Sequence, residues 1–413
     1  MKKMKICRNG LKFLMGALCS LLLPVAAHAN NAVVDCSGAT PGAFTSITAA
    51  LATLPKAGPN SITVSGGPCS DNVLVRGFSD LAIQSAGPSV TINPANPNRR
   101  LLNIFDSRNI FVGGPLVFNG GLGIVVNQNS VAQFDGITIQ NSTLQGIRSV
   151  NSIVDVSNSS ITNSTRPGIS ATGGSMSVDG GVTITGGAAS GITMLTGHLI
   201  LIGGDGTPGT ENVISNNAGN GVGVSSTAEA DISGDNRIDN NKHVGVQAIH
   251  TTSLFMSGGE ILNNLGVGVH IGETSHGEFD TVKVQGNGSA VTTNSLDFGS
   301  GEAGGMEVVE NSDLFIDGAM DVSNNSSNGI FADESSVLSS LGGNTVNNNA
   351  GDGFLIEDLS IAHFFAKDTA TGNGRFSLQC DDTSLVEGDT STLTHVRCGR
   401  IRARGRGQHG NQH

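Results

Sequence analysis

The chain has 413 residues, 22 basic against 34 acidic, for a formal net charge of −12. A surface of that sign repels polyanions and argues against nucleic acid as a partner. Its aromatics are 16 Phe with no Trp and no Tyr, which weakens any reading that stacks a sugar on an amphipathic ring.

Residues 1–29 have the make-up of an export signal. Lys2, Lys3, Lys5, Arg8 and Lys12 precede an apolar run from Phe13 to Val25, and Ala27-His28-Ala29 supplies the small residues of a cleavage site. The run is too short to cross a bilayer, and no later segment is apolar for long enough. The expected mature protein is exported, has no transmembrane segment and carries 17 basic residues against 34 acidic ones, or −17.

Residues 30–118 are expected to form an N-terminal cap and the first turns of a repeat. From Ala43 to Leu54 the apolar residues Phe44, Ile47, Leu51 and Leu54 share one helical face, and Pro55 ends the segment. Ile62-Thr63-Val64 and Asn72 to Val75 then read as the first strands.

Between 119 and 366 a glycine recurs at Gly123, Gly146, Gly168, Gly191, Gly221, Gly245, Gly268, Gly305, Gly329 and Gly353, with steps of 23, 22, 23, 30, 24, 23, 37, 24 and 24 residues. A period near 23 with local insertions marks a stacked repeat. Seven residues before the glycine stand Ile139, Ile161, Ile184, Ile214, Ile238, Ile261, Phe298, Val322 and Val346. Five before it stand Asn141, Asn163, Asn216, Asn240, Asn263, Asn324 and Asn348. After the glycine the residues alternate, as in Gly221-Val222-Gly223-Val224. Period-2 alternation with β-branched residues is a strand signal, and Gly and Asn suit tight corners between strands. Each repeat therefore reads as one coil of short strands, stacked in parallel about 4.8 Å from the next. The recurring corner asparagine is expected to pass amide hydrogen bonds from coil to coil. A β-propeller would need blades of about 40–50 residues.

These Asn-Asn-x-x-x-Gly-[Val/Ile]-x-[Val/Ala] coils resemble the right-handed parallel β-helix proteins, the fold of pectate lyases and pectinesterases. The run from Phe44 to Leu51, followed by a strand and Asn72-Val73, is similar to the start of pectinesterase-like members. The resemblance implies an all-β, right-handed solenoid. It carries over no catalytic residue: Asp381-Asp382 falls only in the C-terminal segment, Ser275-His276-Gly277 is a partial match, and the pectinesterase and epimerase motifs are absent.

Cys36, Cys69, Cys380 and Cys398 follow the signal, one pair at each end of the repeat. Four cysteines in an oxidising compartment allow three connectivities. The length of a solenoid favours Cys36–Cys69 and Cys380–Cys398, and the absence of Cys-x-x-Cys argues against zinc. Residues 367–413 are expected to form a C-terminal cap and a disordered basic tail bearing Arg397, Arg400, Arg402, Arg404 and Arg406. Gly203 to Gly209 and Gly286 to Asn294 read as inserted turns, the second polar enough to wall a groove.

One column carries chemistry. Five residues past successive glycines stand Ser226, His250, Glu273, Glu310, Glu334 and Asp358. His250 and these acids are the candidate substrate- or cation-binding residues, with Glu310, Glu334 and Asp358 as oxygen ligands for Ca²⁺. A solvated acidic turn is the plainer alternative. The basic residues Arg148, Arg166, Arg237, Lys242, Lys283 and Lys367 are expected to be scattered, with no common column. The expected function is non-catalytic binding of an envelope or extracellular polysaccharide or partner. The alternative is a polysaccharide lyase, epimerase or hydrolase with a cation-assisted site on the acidic column.

Overall fold

A computed structural model describes residues 30–402 apart from 86, 205, 208 and 290–302. The signal-like segment 1–29, the tail from 403 and residues 290–294 of the second insertion lie outside the described residues.

The chain winds as an all-β, right-handed parallel solenoid of about 13 turns with almost no helix. Strands one coil apart stack in parallel: Val222 on Val246 and Val246 on Val269, then Ala230 on Leu254, then Ile238 on Ile261. Among the described residues, 28 strands belong to one sheet and 11 to a second. The larger sheet holds two strand runs per coil, such as Val222–Ser225 and Glu229–Ser233, and the smaller holds the third, such as Asn236–Asp239. Alternation sends Val222, Val224, Ile232 and Ile238 inward, where they are at most 1% exposed. Each such side chain contributes about 1.5–3 kcal/mol on burial. The resulting core is one continuous cluster from Ala32 to Leu393.

The amide ladder forms one residue later than the sequence pattern indicates. Asn216, Asn240, Asn263, Asn324 and Asn348 take positive φ, between 53° and 57°, and turn the corner. Their successors point inward. Asn217 Nδ2 donates to Asn241 Oδ1, Asn241 to Asn264 and Asn264 to Asn287, each at 3.0 Å, and the chain continues through Asn325 to Asn349. The backbone N–H of Asn217, Asn241 and Asn264 donates to the same oxygens, and each amide nitrogen also donates to an isoleucine carbonyl of an earlier coil. These asparagines are buried, and the ladder satisfies amide groups that would otherwise cost the fold. Ser142 and Ser164 hold the equivalent place in earlier coils, and their hydroxyl oxygens have no hydrogen-bond partner.

The ends differ from expectation in two details. The N-terminal helix spans only Ile47–Leu51, capped by the Ser46 hydroxyl. Phe44 is drawn instead into strand-like pairing, its N–H donating to Val33 O and its carbonyl accepting from Asp35 N. At the other end Val396–Arg397 and Ile401–Arg402 are short strands that stack on the last coils, so the basic segment is ordered as far as Arg402. The disulfides are Cys36–Cys69 and Cys380–Cys398, with Cα atoms 5.0 and 4.7 Å apart. Among the described residues no helix is long and apolar enough to cross a membrane.

Candidate functional site

The predicted column is a second corner, between the two strand runs of the larger sheet. Ser226, His250, Glu273, Glu310, Glu334 and Asp358 all have φ between 43° and 60°, and the residues after them, Thr227, Thr251, Thr274, Asn311, Ser335 and Leu359, are left-handed as well. Backbone hydrogen bonds tie the corner of each coil to the next: Thr274 N donates to Glu310 O at 3.0 Å, Asn311 N to Glu334 O at 3.0 Å, and Ser335 N to Asp358 O at 2.8 Å. Glu310, Glu334 and Asp358 are therefore exposed on three consecutive coils, about 4.8 Å apart along the axis.

Earlier coils fill this corner differently. Asp106, Gln128, Asn129, Asn151, Gly173, Gly174, Thr196 and Gly197 take the left-handed positions there, a mixture in which Asn and Gly are the types that tolerate positive φ best. From Ser226 onward the first of the two positions is Ser, His, Glu or Asp, and Asn recurs there only as Asn311 at the second. Non-glycine residues held in such regions cost about 1–3 kcal/mol each unless the surroundings enforce them.

The charges on the column are unevenly matched. His250 Nε2 lies 2.6 Å from Glu273 Oε2. Asp358 donates its N–H to Asp381 Oδ2 at 3.0 Å. Burial works against ionisation of Asp381, but hydrogen bonds from Ser384, Thr383 and Asp358 hold its pKa down to about 2. Glu334 moves the other way: desolvation and then the charges of Glu310, Asp333, Asp358 and Glu307 push its pKa up. Asp333 is raised by burial and by Asp358, Glu307 and Asp381. Among the described residues no three His, Cys, Asp or Glu side chains converge closely enough to hold a metal ion.

A carboxyl whose folded pKa is raised binds its proton more tightly in the folded state. Glu334 and Asp333 therefore oppose folding at neutral pH, and the opposition fades as pH falls through the window just above 4.5 and 3.8, their ordinary values. Glu334→Gln is expected to raise the unfolding free energy at pH 7 by up to about 0.5 kcal/mol, the scale of surface substitutions, and to lose that advantage near pH 4. Equal increments at both pH values in paired urea titrations would contradict this origin.

Beside the corner runs a column that the glycine ruler did not single out. Two residues past the glycine, Gln247 pairs with His270, His270 with Glu307, Glu307 with Phe331 and Phe331 with Leu355. These side chains lie opposite the core yet are buried, and Phe331 and Leu355 join Val244, Val267 and Val309 in a second apolar cluster. His270 Nδ1 sits 2.9 Å from Glu307 Oε2, with the two side chains 8% and 1% exposed. The other ring nitrogen faces Gly272: a Cβ there would lie 2.8 Å from His270 Nε2 and 3.5 Å from Glu310 Oε2. The pair thus orients the histidine and depends on a glycine for the space. Sequence reading passed over His270 because its column mixes Gln, His, Glu and Phe, whereas the corner column repeats one charge.

The basic residues are less scattered than the glycine step implies. One residue before the isoleucine column, Arg237, Glu260, Lys283 and Asp321 pair in turn on the outside of the smaller sheet, with Lys283 Nζ 3.2 Å from Glu260 Oε1. The signs alternate: Arg237 and Lys283, two coils apart, flank Glu260, and Asp321 follows Lys283, so these four described residues form a mixed row and not a basic strip.

A family model described as "Right handed beta helix region" matches residues 116–256 and 234–391. Among solved structures the chain is similar to a substituted form of the periplasmic alginate epimerase AlgG, at 12% identity over 85% of this chain and 79% of that one, with a TM-score of 0.41. It is also similar to the A-module of the Azotobacter vinelandii mannuronan C-5 epimerase AlgE6, at 11% identity over 87% and 94% of the two chains, TM-score 0.35. A third is pectate lyase Pel9A, at 12% identity over 91% and 78%, TM-score 0.30. No curated protein matches the chain.

Proposed function

For a chain that belongs to the right-handed beta helix family, we propose export and non-catalytic binding of an envelope or extracellular polysaccharide along the charged flank of the solenoid. The observation that carries this reading is the corner itself. Three consecutive coils put an exposed carboxylate into a left-handed conformation that Asn and Gly adopt at lower cost. A local rule broken repeatedly at one surface is the usual mark of a functional constraint. Carboxylates accept hydrogen bonds from hydroxyl groups strongly, and a regular coil step offers them in a row to a polymer lying along the axis. The negative charge of the corner acids favours a neutral or amine-bearing polymer over a polyuronate. The two disulfides favour an oxidising compartment.

The same proposal divides the chain into a removed signal over 1–29, a cap and first coils over 30–118, regular coils near 23 residues over 119–366, and a closing segment from 367. The short helix and the terminal strands shield the open ends, which would otherwise expose core and unpaired strand edges.

A second reading, a polysaccharide-active enzyme, is favoured by His270 and Glu307. A buried carboxylate on Nδ1 holds an imidazole in one orientation for proton transfer at Nε2. Calcium enters only this reading: Glu310, Glu334 and Asp358 supply the oxygen ligands such an ion takes, after side-chain movement to bring them together.

Incubation with neutral, acidic and amino polysaccharides, with and without calcium, separates the two. The expected result is retention of a polymer with no new chain ends. Release of products, abolished by His270→Gln, would replace the binding reading with the enzymatic one.

A further inference from the structure

The first coils carry a cleft of different chemistry, far from the charged corner. Its volume is about 770 Å³. The turn Gly66 to Pro68, after the strand Asn60–Ser65, forms one wall, and the turn Gly87 to Ser89, before the strand Val90–Asn93, forms another. The floor is the outer face of the smaller sheet, where Asn93, Asn119 and Gln140 stand on three successive coils. Asn119 Nδ2 donates to Asn93 Oδ1 at 2.9 Å, and Gln140 Nε2 donates to Asn119 Oδ1 at 3.4 Å. Each donor amide uses one N–H in this ladder and has a second. Val64 and Val90 are buried behind the cleft, while Pro68 and Pro88 are exposed at its rim.

The lining excludes most ligand classes. Among the described residues that line the cleft, not one is ionisable or aromatic, although the chain carries 56 acidic and basic residues in total, 22 of one sign and 34 of the other. An anion finds no cation there, and a cation finds no carboxylate. A purely apolar ligand would strip water from half-buried amides and give them no partner. A neutral, hydroxyl-rich ligand satisfies both sets of groups: its hydroxyls meet amide N–H and C=O, and its C–H faces meet the proline rims. The amides recur at the coil step of about 4.8 Å, which suits a chain of sugar rings crossing the coils.

We propose that this cleft is a binding site for an uncharged oligosaccharide segment. It deepens the polysaccharide reading and rests on it: the cleft and the charged corner are two contacts on one polymer. Seven coil steps separate Gly123, beside the cleft, from Gly305, which precedes the first exposed corner acid Glu310, so the two sites lie roughly 35 Å apart along the axis. One polymer held at both gains avidity that neither site has alone. Contacts made by neutral hydrogen bonds without a stacking ring are individually weak, so the isolated cleft is a millimolar-class site that matters through the polymer.

The test titrates the mature, disulfide-intact protein with cellohexaose, xylohexaose and maltohexaose, and with hexagalacturonate as the charged comparator, followed by amide chemical shifts. At least one uncharged hexamer is expected to saturate and hexagalacturonate is not. Asn119→Ala removes the central amide, and Ser89→Arg places a long side chain across the mouth from an exposed position, so the second variant keeps the test valid where the first disturbs the ladder. Each is expected to weaken hexamer binding at least about fivefold, the value of one hydrogen bond, with the thermal midpoint of Ser89→Arg unchanged. Glu310→Gln combined with Glu334→Gln is expected to leave hexamer binding intact. Failure of every uncharged hexamer to bind, or binding that survives both cleft variants, overturns the cleft. If polymer retention is then lost only with the corner variants, the flank reading stands without it. If hexamers bind in the cleft but no polymer depends on the corner, the flank reading falls and the cleft stands.

Discussion

Gly221→Ala should cost the protein at least about 3 kcal/mol, while Gly223→Ala, two residues further on, should be neutral or stabilising. A Cβ on Gly221 would collide with Ile238 Cγ2 and lie 2.6 Å from Gly245 O and 2.9 Å from Asn241 Nδ2. All three are fixed: Ile238 is core, Gly245 O accepts from Val222 N at 2.9 Å, and Asn241 belongs to the amide ladder. Overpacking a close-packed site costs about 1–3 kcal/mol, and more when backbone must move. At Gly223 the nearest atoms are 3.7 and 4.0 Å away and φ is not positive. There the methyl group fits, and the lower entropy of the unfolded chain is worth about 0.4–1 kcal/mol. Urea denaturation of the two variants reads the contrast directly. Equal losses at both positions would mean that the recurring glycine reflects strand propensity and not coil-to-coil contact.

Asn264→Ala should be nearly as damaging, and Asn263→Ala should not. Asn264 Oδ1 accepts from both the backbone N–H and the side-chain amide of Asn241, and its Nδ2 donates to Ile238 O and Asn287 Oδ1, all at 3.0 Å. It is completely buried. Truncation leaves several groups without partners in a dry interior, at about 1–3 kcal/mol for each one stranded, and a loss of about 3–5 kcal/mol is expected against a net stability of about 5–15 kcal/mol. Asn263 turns an exposed corner with φ of 53°, and alanine there loses only a tolerance for that conformation, about 1 kcal/mol. The midpoints of the pair show which of two adjacent asparagines forms the ladder.

That pair also shows what the sequence could and could not disclose. Spacing reveals that a residue type recurs, which is enough to indicate a parallel solenoid with one cysteine pair at each end. It does not reveal which way a side chain turns at a corner. The recurring doublet Asn-Asn was visible, but only backbone φ separates the asparagine that makes the turn from the one that points inward. The capping helix is shorter than its apolar spacing predicts for a similar reason: Phe44 fits a helical face in sequence, yet strand pairing with Val33 and Asp35 claims its backbone.

The candidate site was legible to the same depth. His250, Glu273, Glu310, Glu334 and Asp358 do share one column, because register alone decides that. Their left-handed backbone, and the upward shift of Glu334 among its neighbours, depend on the third dimension. His270 and Glu307 stand 37 residues apart across the longest insertion, and counting from the glycine aligns them only when the outward column is followed as closely as the inward ones. The alternation of Arg237, Glu260, Lys283 and Asp321 was available in the same way, measured from the isoleucine column instead of the glycine.

The central claim is that the charged corner holds a polymer. Its most direct test is the affinity of the mature protein for whichever polysaccharide it retains, measured beside the Glu310→Gln, Glu334→Gln double variant. Removing two carboxylates that hydrogen-bond the ligand should weaken binding at least about tenfold, since charge-assisted bonds are worth about 1.5–3 kcal/mol each, while urea stability stays the same or rises slightly. An affinity unchanged in the double variant would show that the acids of the corner do not hold the polymer.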